Sequence, residues 1–552
     1  IKSISDDYGN YSAHRLLGDS YNSIFDATAR FSEERIANLL SPLSFNIFNS
    51  IGESSALGDY NALFDKKETR EAFQAEWQSN QNEVGGQLLA SGKTDTFGYL
   101  FKYQPNYQNT SNPNPYHKSE NNIRGAVQYE LTPDDRLVLE GNFRAGTNTL
   151  ETSDEYQTYT NSMGGHDGNV LLGYNHRVSS QMTFLMQGMY ERRSENYSYP
   201  DLRDLNFTAD YTRPNDFFQA PLGLQSNPKD RVTQNGLSAQ LIYTSKYIDS
   251  VAGVQGLYID TSRRENSPVS TLNVCDVQPG PGCLMDVQGM INTSAANNLS
   301  SGEAYEYLSF KIPQTANLTL GLAGTTVQYE PNYVPPYFSA SERESKLSPK
   351  IGLITTPTSW LTTRAAYFQT LSKSALEDLS SLEPTLVGGL NQDFNDLTGA
   401  STESYAFGLD AKSPGFLYGG VQYTHRNLKE PIGGVAQLTE LNYPDVTLVG
   451  LQDFDVENSY GQDQLFKGYL YSVLSDSTVL TADSLIDWFD YTDPGQASSN
   501  IISRRFRFGG RQYYGKHLSL TLSGTYRNQN ITNITGETPA GGGFWLFDTA
   551  VS

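Results

Sequence analysis

Between Ile502 and Gln512 the residue types alternate: Arg505, Arg507 and Arg511 fall on one face of an extended chain, and Phe506 and Phe508 fall on the other. The preceding segment places Asp483 and Asp487 opposite Leu480, Ala482, Ile486 and Trp488. Folding the two segments about a turn near residue 495 brings Asp483 close to Arg507 on the wet face. Arg124, Arg144 and Arg364 stand in similar segments, as do Arg177, Lys350, Arg426 and Lys467, with Glu130, Glu140 and Glu191 of opposite sign. Along a water-filled passage, fixed charges of this kind form a ladder that selects among passing solutes. Their plainer role is to satisfy one another.

Other chemistry is sparse. Gly18-Asp19-Ser20 has the order of a hydrolase nucleophile block, whose serine needs a histidine base, commonly from an Asp-x-x-His element. None of His14, His117, His166, His176, His425 and His517 has Asp three positions before it, so the block reads as a helix cap or turn. The histidines form no His-x-x-x-His pair for a metal, and His166-Asp167 in Met163-Gly164-Gly165-His166-Asp167-Gly168 reads as a turn. Asp204, Asp210 and Asp216, and Asp453, Asp455 and Glu457, are spaced carboxylates without the spacing of a calcium loop, and read as solvated acidic loops. Cys275 and Cys283 flank the turn-rich Asp276-Val277-Gln278-Pro279-Gly280-Pro281-Gly282. In an oxidising compartment they read as a local disulfide that stiffens a loop tip. No catalytic residue, metal site or cofactor is expected, and the chain does not read as an enzyme.

The elements that hold these residues follow from composition and period. Only 37% of the 552 residues are apolar, and no apolar run approaches the roughly 18 to 20 residues of a spanning helix, which excludes a helical membrane bundle. Yet 36 Tyr, 26 Phe and 4 Trp are too many for a disordered chain. Lys and Arg number 39 against 61 Asp and Glu, net -22, which argues against nucleic acid as a partner because phosphate neutralisation needs clustered cations. No signal peptide opens the chain at Ile1, so export implies a leader removed or left out.

From about residue 70 onward, segments of 9 to 14 residues alternate with period two. Leu518, Leu520, Leu522 and Tyr526 share one face, and Ser519, Thr521, Ser523 and Thr525 the other. Ile123, Val127, Tyr129 and Leu131 oppose Arg124, Gln128 and Glu130. After Thr132-Pro133-Asp134-Asp135, Leu137, Leu139 and Phe143 oppose Glu140, Asn142 and Arg144. Strands of a soluble sandwich run near five or six residues. These are about twice that, the length of a tilted strand crossing hydrocarbon, where open sheet edges cannot be satisfied.

Connections alternate in length. Tight links at 132–135, 179–180, 248–249, 313–314, 357–358, 414–415, 475–476 and 515–516 alternate with long loops at about 105–120, 148–167, 193–234, 264–301, 330–345, 371–402 and 428–459. That rhythm predicts an all-β, antiparallel transmembrane β-barrel of the bacterial outer membrane, with its long loops extracellular and about 20–22 strands. Because Phe544 to Ser552 is still alternating, one or two closing strands are expected beyond it. Residues 1–68 form a separate, partly helical N-terminal segment, a lumen or periplasmic plug or the end of an upstream repeat domain, with a helix capped at Ser20 or Asn22 and stopped at Pro42. The barrel proper is 69–552.

Several runs carry a family likeness. His14-Arg15-Leu16-Leu17-Gly18-Asp19-Ser20-Tyr21, Leu39-Leu40-Ser41-Pro42-Leu43 and Tyr60-Asn61-Ala62-Leu63-Phe64-Asp65 resemble the lead-in to the barrel of outer-membrane proteins that carry tetratricopeptide repeats upstream. Ser348-Pro349-Lys350-Ile351-Gly352-Leu353, Arg364-Ala365-Ala366-Tyr367-Phe368, Leu382-Glu383-Pro384-Thr385, Gly389-Leu390-Asn391-Gln392 and Glu403-Ser404-Tyr405-Ala406-Phe407-Gly408-Leu409-Asp410 are similar to that group. They are also similar to TonB-dependent receptor barrels, as is Phe544-Trp545-Leu546-Phe547-Asp548. The resemblance implies an outer-membrane channel or transport barrel, a porin-like conduit that exports a polymer or a partner protein. Its partners would be the lipid bilayer and an upstream periplasmic repeat domain or partner protein. The receptor likeness implies the alternative of an uptake barrel lacking its plug, since residues 1–68 are shorter than such a plug. A third reading is a structural anchor for a surface layer or filament.

Overall fold

The computed structural model describes residues 69–551 apart from 79–82, 111–115, 154–157, 209–217, 274–283, 313–314, 332–341, 374–382, 385, 393–398, 414–415, 433–436, 443–446, 453–456, 476, 493–498, 515–517 and 534–539. The described residues are all-β. Antiparallel neighbours follow one another around a closed wall of 20 strands, from Thr69–Gln78 to Ala540–Val551. Closure is made by Ala75 to Gln78 pairing with Val551 to Asp548. The strand expected to end open therefore serves as the closing strand. Three further strands, Phe218–Ser226, Gln437–Asn442 and Thr447–Gln452, extend the same sheet beyond the wall, and Leu386–Val387 with Leu390–Asn391 forms a separate hairpin.

Facing follows the period-two pattern. Ile123, Val127, Tyr129, Leu131, Leu139, Phe143 and Leu522 are exposed on the outer surface, while Gln128, Glu140, Ser523 and Thr525 are buried on the inner one. An outer surface this apolar would be costly in water, about 1.5–3 kcal/mol for each large side chain left exposed, and is stable against lipid. Closure joins the first and last wall strands over the four described residue pairs of that seam, as a sheet that spans hydrocarbon needs its edges paired.

Tight turns gather at one end of the barrel. Thr94 N–H donates to Phe97 O at 2.7 Å, Ser245 N–H to Ile248 O at 3.0 Å, and Asp134 N–H to the Thr132 hydroxyl at 3.2 Å. The first wall strand enters, and the last one leaves, at this same end, because each strand reverses the last.

Several expectations are corrected. Wall strands run from 10 to 29 residues, and the presumed loops 193–234 and 264–301 are largely strand: Met182–Thr208, Ile248–Asn273 and Leu284–Ile312 stay paired far above the wall's neighbours. The reason is physical: beyond the bilayer both faces of a strand meet water, so hydrophobic alternation fades while the backbone ladder continues. His166-Asp167 is not a turn but the middle of the strand Thr158–Arg177. Asp204 likewise lies on a strand, Met182–Thr208, rather than in a loop. The expected N-terminal helix, Gly18-Asp19-Ser20, Asp210, Asp216, Asp453, Asp455, Cys275 and Cys283 lie outside the described residues.

Candidate functional site

The connection between the wall strands Leu361–Leu371 and Ser401–Ser413 does not simply extend outward. Its described part turns into the lumen, where the hairpin Leu386–Val387/Leu390–Asn391 lies against the inner wall. Gly388 and Gly389 make its two-residue turn with φ of 59° and 70°. Positive φ at both central residues is the type I′ geometry, which glycine adopts without steric cost. The turn packs backbone to backbone. A Cβ on Gly352 of the wall would lie 2.6 Å from Gly388 Cα, so only glycine allows this approach.

An apolar seat holds the hairpin. Val387 and Leu390 have no exposed surface and pack with Tyr305, Tyr307, Phe368, Ala366 and Ala406. Burying the two aliphatic side chains contributes about 1.5–3 kcal/mol each.

Around this seat the polar groups are mutually satisfied. Glu383 Oε1 accepts from Tyr307 Oη at 2.6 Å and from Lys350 Nζ at 2.7 Å, and its Oε2 accepts from Lys373 Nζ at 3.2 Å. Lys350 Nζ also donates to Gln392 Oε1 at 2.5 Å, while Gln392 Nε2 donates to Pro384 O at 2.8 Å. Lys373 pairs further with Glu303, which accepts from the Thr325 hydroxyl at 2.8 Å. Two lysines thus meet two carboxylates, so the cluster is neutral overall although the Lys350 and Glu383 side chains are almost wholly buried. Burying charge is tolerable only under such complete pairing. Lower on the wall, Arg364 Nε donates to Asp410 Oδ2 at 2.8 Å and Nη1 to Gly389 O at 2.6 Å, and Tyr469 Oη donates to Asp410 Oδ1 at 2.8 Å.

The charges expected from sequence divide into two groups. Arg124 pairs with Glu140, Arg144 Nη2 with Asp167 Oδ2 at 2.6 Å, and Arg364 with Asp410, each with a carboxylate on a neighbouring strand. Asp483 and Arg507 are register partners, as the alternation suggested, yet each bonds elsewhere. Asp483 accepts from Tyr471 Oη at 2.8 Å, and Arg507 donates to Ser523 Oγ at 3.2 Å. Arg505 and Asp487 are buried on the inner face, and Arg511 Nε donates to Thr521 Oγ1 at 2.9 Å. Lys350 and Arg426 are buried there too, whereas Arg177 is exposed at the tight-turn end of its strand.

Sequence reasoning missed Glu303, Lys373, Glu383 and Gln392 as members of one site. A signal existed: Gly388-Gly389 between Val387 and Leu390 is a hairpin turn signature. Chemically the arrangement is a fastening, with no activated nucleophile, and no cluster of three or more metal-ligating side chains occurs among the described residues.

Solved structures share this architecture. The chain is similar to the copper transporter OprC (TM-score 0.55, 11% identity, covering 88% of this chain and 80% of that one). It is similar to the pyoverdine outer-membrane receptor FpvA of Pseudomonas aeruginosa (TM-score 0.53, 10% identity, 88% and 78%) and to the iron transporter FrpB of Neisseria meningitidis (TM-score 0.52, 10% identity, 89% and 82%). At such identities the likeness is one of fold, and it is to the TonB-dependent receptor barrels. These proteins are receptors and transporters rather than enzymes, and their fold is one of the bacterial outer membrane. No protein-family model matches the chain, and no curated protein matches it either.

Proposed function

We propose that the chain is a gated transport barrel of the outer membrane, in which cargo crosses a polar lumen and the hairpin beside Glu383 controls the passage. The observation that carries this reading is the fastening of that hairpin. A segment is seated on the inner wall, inside the lumen, by two aliphatic side chains and a neutral four-charge cluster, and its release would change the width of the path. The long connections would face outward and the tight turns the periplasm. Arg505, Arg507 and Arg511, on the inner-facing positions of one strand, would bias the passage toward anions.

Export of a polymer or partner protein, delivered by an upstream periplasmic repeat domain, is the version nearest the sequence resemblance. Uptake is the second reading, favoured by the shared fold with OprC, FpvA and FrpB, whose names give copper, pyoverdine and iron respectively. Currents through the protein in a planar bilayer test the common premise. Rare, anion-biased openings are expected. If neither the native protein nor one with residues 383–392 and the rim segment 437–452 both replaced by flexible linkers conducts, the barrel is an anchor and the transport reading falls.

A further inference from the structure

A second closure stands above the wall. The strands Met182–Thr208, Ile248–Asn273 and Leu284–Ile312, with Phe218–Ser226 continuing into Pro228–Thr244, rise together as a tall sheet. Its members stay paired to the top: Tyr199 to Phe207 with Ser226 to Phe218, Val269 with Leu224, and Asn273 with Leu284. Left alone, this sheet would end in two open edges. Instead both edges are taken by one hairpin from elsewhere on the rim. Gln437–Asn442 pairs with Met290 to Ser294, Thr447–Gln452 pairs with Gln437–Asn442, and Val449 and Gly450 pair with Thr208 and Phe207. Six segments therefore close into a small ring above the mouth.

The hairpin's origin gives the ring its meaning. It leaves the wall after Ile432 and returns at Glu457, two strands that pair with each other well around the barrel from Leu284–Ile312 and further still from Met182–Thr208. Twenty strands spaced about 4.8 Å and tilted about 40° enclose a mouth on the order of 40 Å across. From Ile432 to Gln437 the chain can reach at most roughly 18 Å. To pair with strands on the far rim, the hairpin has to lie over the opening, and the tall sheet has to meet it there.

We infer that the hairpin Gln437–Asn442/Thr447–Gln452 is a lid that shuts this mouth by β-pairing and opens by parting from its two partners, in series with the lumen hairpin. The inference rests on the transport reading for its purpose but not for its geometry. The weaker seam is the contact of Val449 and Gly450 with Phe207 and Thr208, two residue pairs against five on the other side. Opening therefore starts at that seam and swings on the other.

Two measurements on the full chain in whole cells, with Cys275→Ser and Cys283→Ser introduced, test it. Ser294→Cys with Leu438→Cys, register partners, should cross-link under mild oxidant. Asn122→Cys, on the inner wall, reports access through labelling by a polymer-linked maleimide relative to a small one. Replacing 437–452 with a flexible linker should raise that ratio roughly tenfold or more. A cross-link that does not form, or a ratio unchanged by removing the hairpin, overturns the lid. Labelling by neither reagent in any variant would put this mouth on the other side of the membrane and overturn it as well. If the lid results hold but the barrel with both 383–392 and 437–452 replaced by flexible linkers carries no current, the transport reading fails and the lid stands.

Discussion

Removing Lys350 is the most direct perturbation of the lumen fastening. In Lys350→Met the stem is kept and the ammonium lost, so Glu383 retains Tyr307 at 2.6 Å and Lys373 at 3.2 Å but loses its 2.7 Å partner. Breaking a buried ion pair by deleting one side costs about 3–5 kcal/mol, because the remaining charge stays buried. The surviving partners of Glu383 argue for the lower end. About 3 kcal/mol taken from the fastened state multiplies the released population roughly a hundredfold. Single-channel recording should show openings more frequent by up to that factor, with the wall intact by circular dichroism. Glu383→Gln alone leaves Lys350 and Lys373 facing the single carboxylate of Glu303 and should behave similarly. Lys350→Met with Glu383→Gln leaves Lys373 with Glu303, a balanced pair, so the double variant should open less often than the sum of the single effects implies. Unchanged opening in a folded Lys350→Met protein, or strictly additive effects, would refute the fastening.

Gly352→Ala should release the same hairpin from the wall side, since its Cβ meets Gly388 backbone, at a cost of about 1–3 kcal/mol, whereas Gly324→Ala, whose nearest neighbour is Leu347 at 3.9 Å, should leave the currents unchanged. Arg507→Ala should leave the barrel folded and shift reversal potentials toward cations, while Phe508→Arg, exposed on the outer surface, should impair assembly by about 2–4 kcal/mol, read as loss of membrane-inserted protein. Asp135, in a tight turn, is held down to about 2 by hydrogen bonds from Thr132, Tyr174 and His176. A lowered carboxylate stabilises above its ordinary value near 3.8 and loses that contribution as pH falls toward 2, so Asp135→Asn should flatten urea stability across that window. Cys275 and Cys283 should titrate as a disulfide in denaturant without reductant, and two free thiols would remove the stiffened loop tip from the account.

Facing was legible in the chain wherever a strand crosses lipid. Phe506 and Phe508 against Arg505 and Arg507, or Leu139 and Phe143 against Glu140 and Asn142, announce their sides because hydrocarbon and lumen water impose opposite preferences on successive residues. That Asp483 and Arg507 come close on the inner face was legible for the same reason, since a one-residue slip of either strand would turn its charge toward lipid, and the structure makes them direct register partners. Strand length was not. Above the bilayer, a stretch such as Ser262 to Ser267 is polar on both faces, and only its pairing with Ala296 to Ile291 reveals it as strand.

Local residue pattern determined the wall, the inward arginines and the tight turns, because a bilayer writes its own period into any sheet that spans it. Tertiary structure alone decided which connections turn back. Lys373 and Glu303 are 70 positions apart, Lys350 and Gln392 are 42 apart, and Leu438 meets Ser294 from another part of the rim. Such partners share no period with their neighbours in the chain. What joins them is barrel closure, which brings distant strands to face one another across a lumen that local alternation cannot describe.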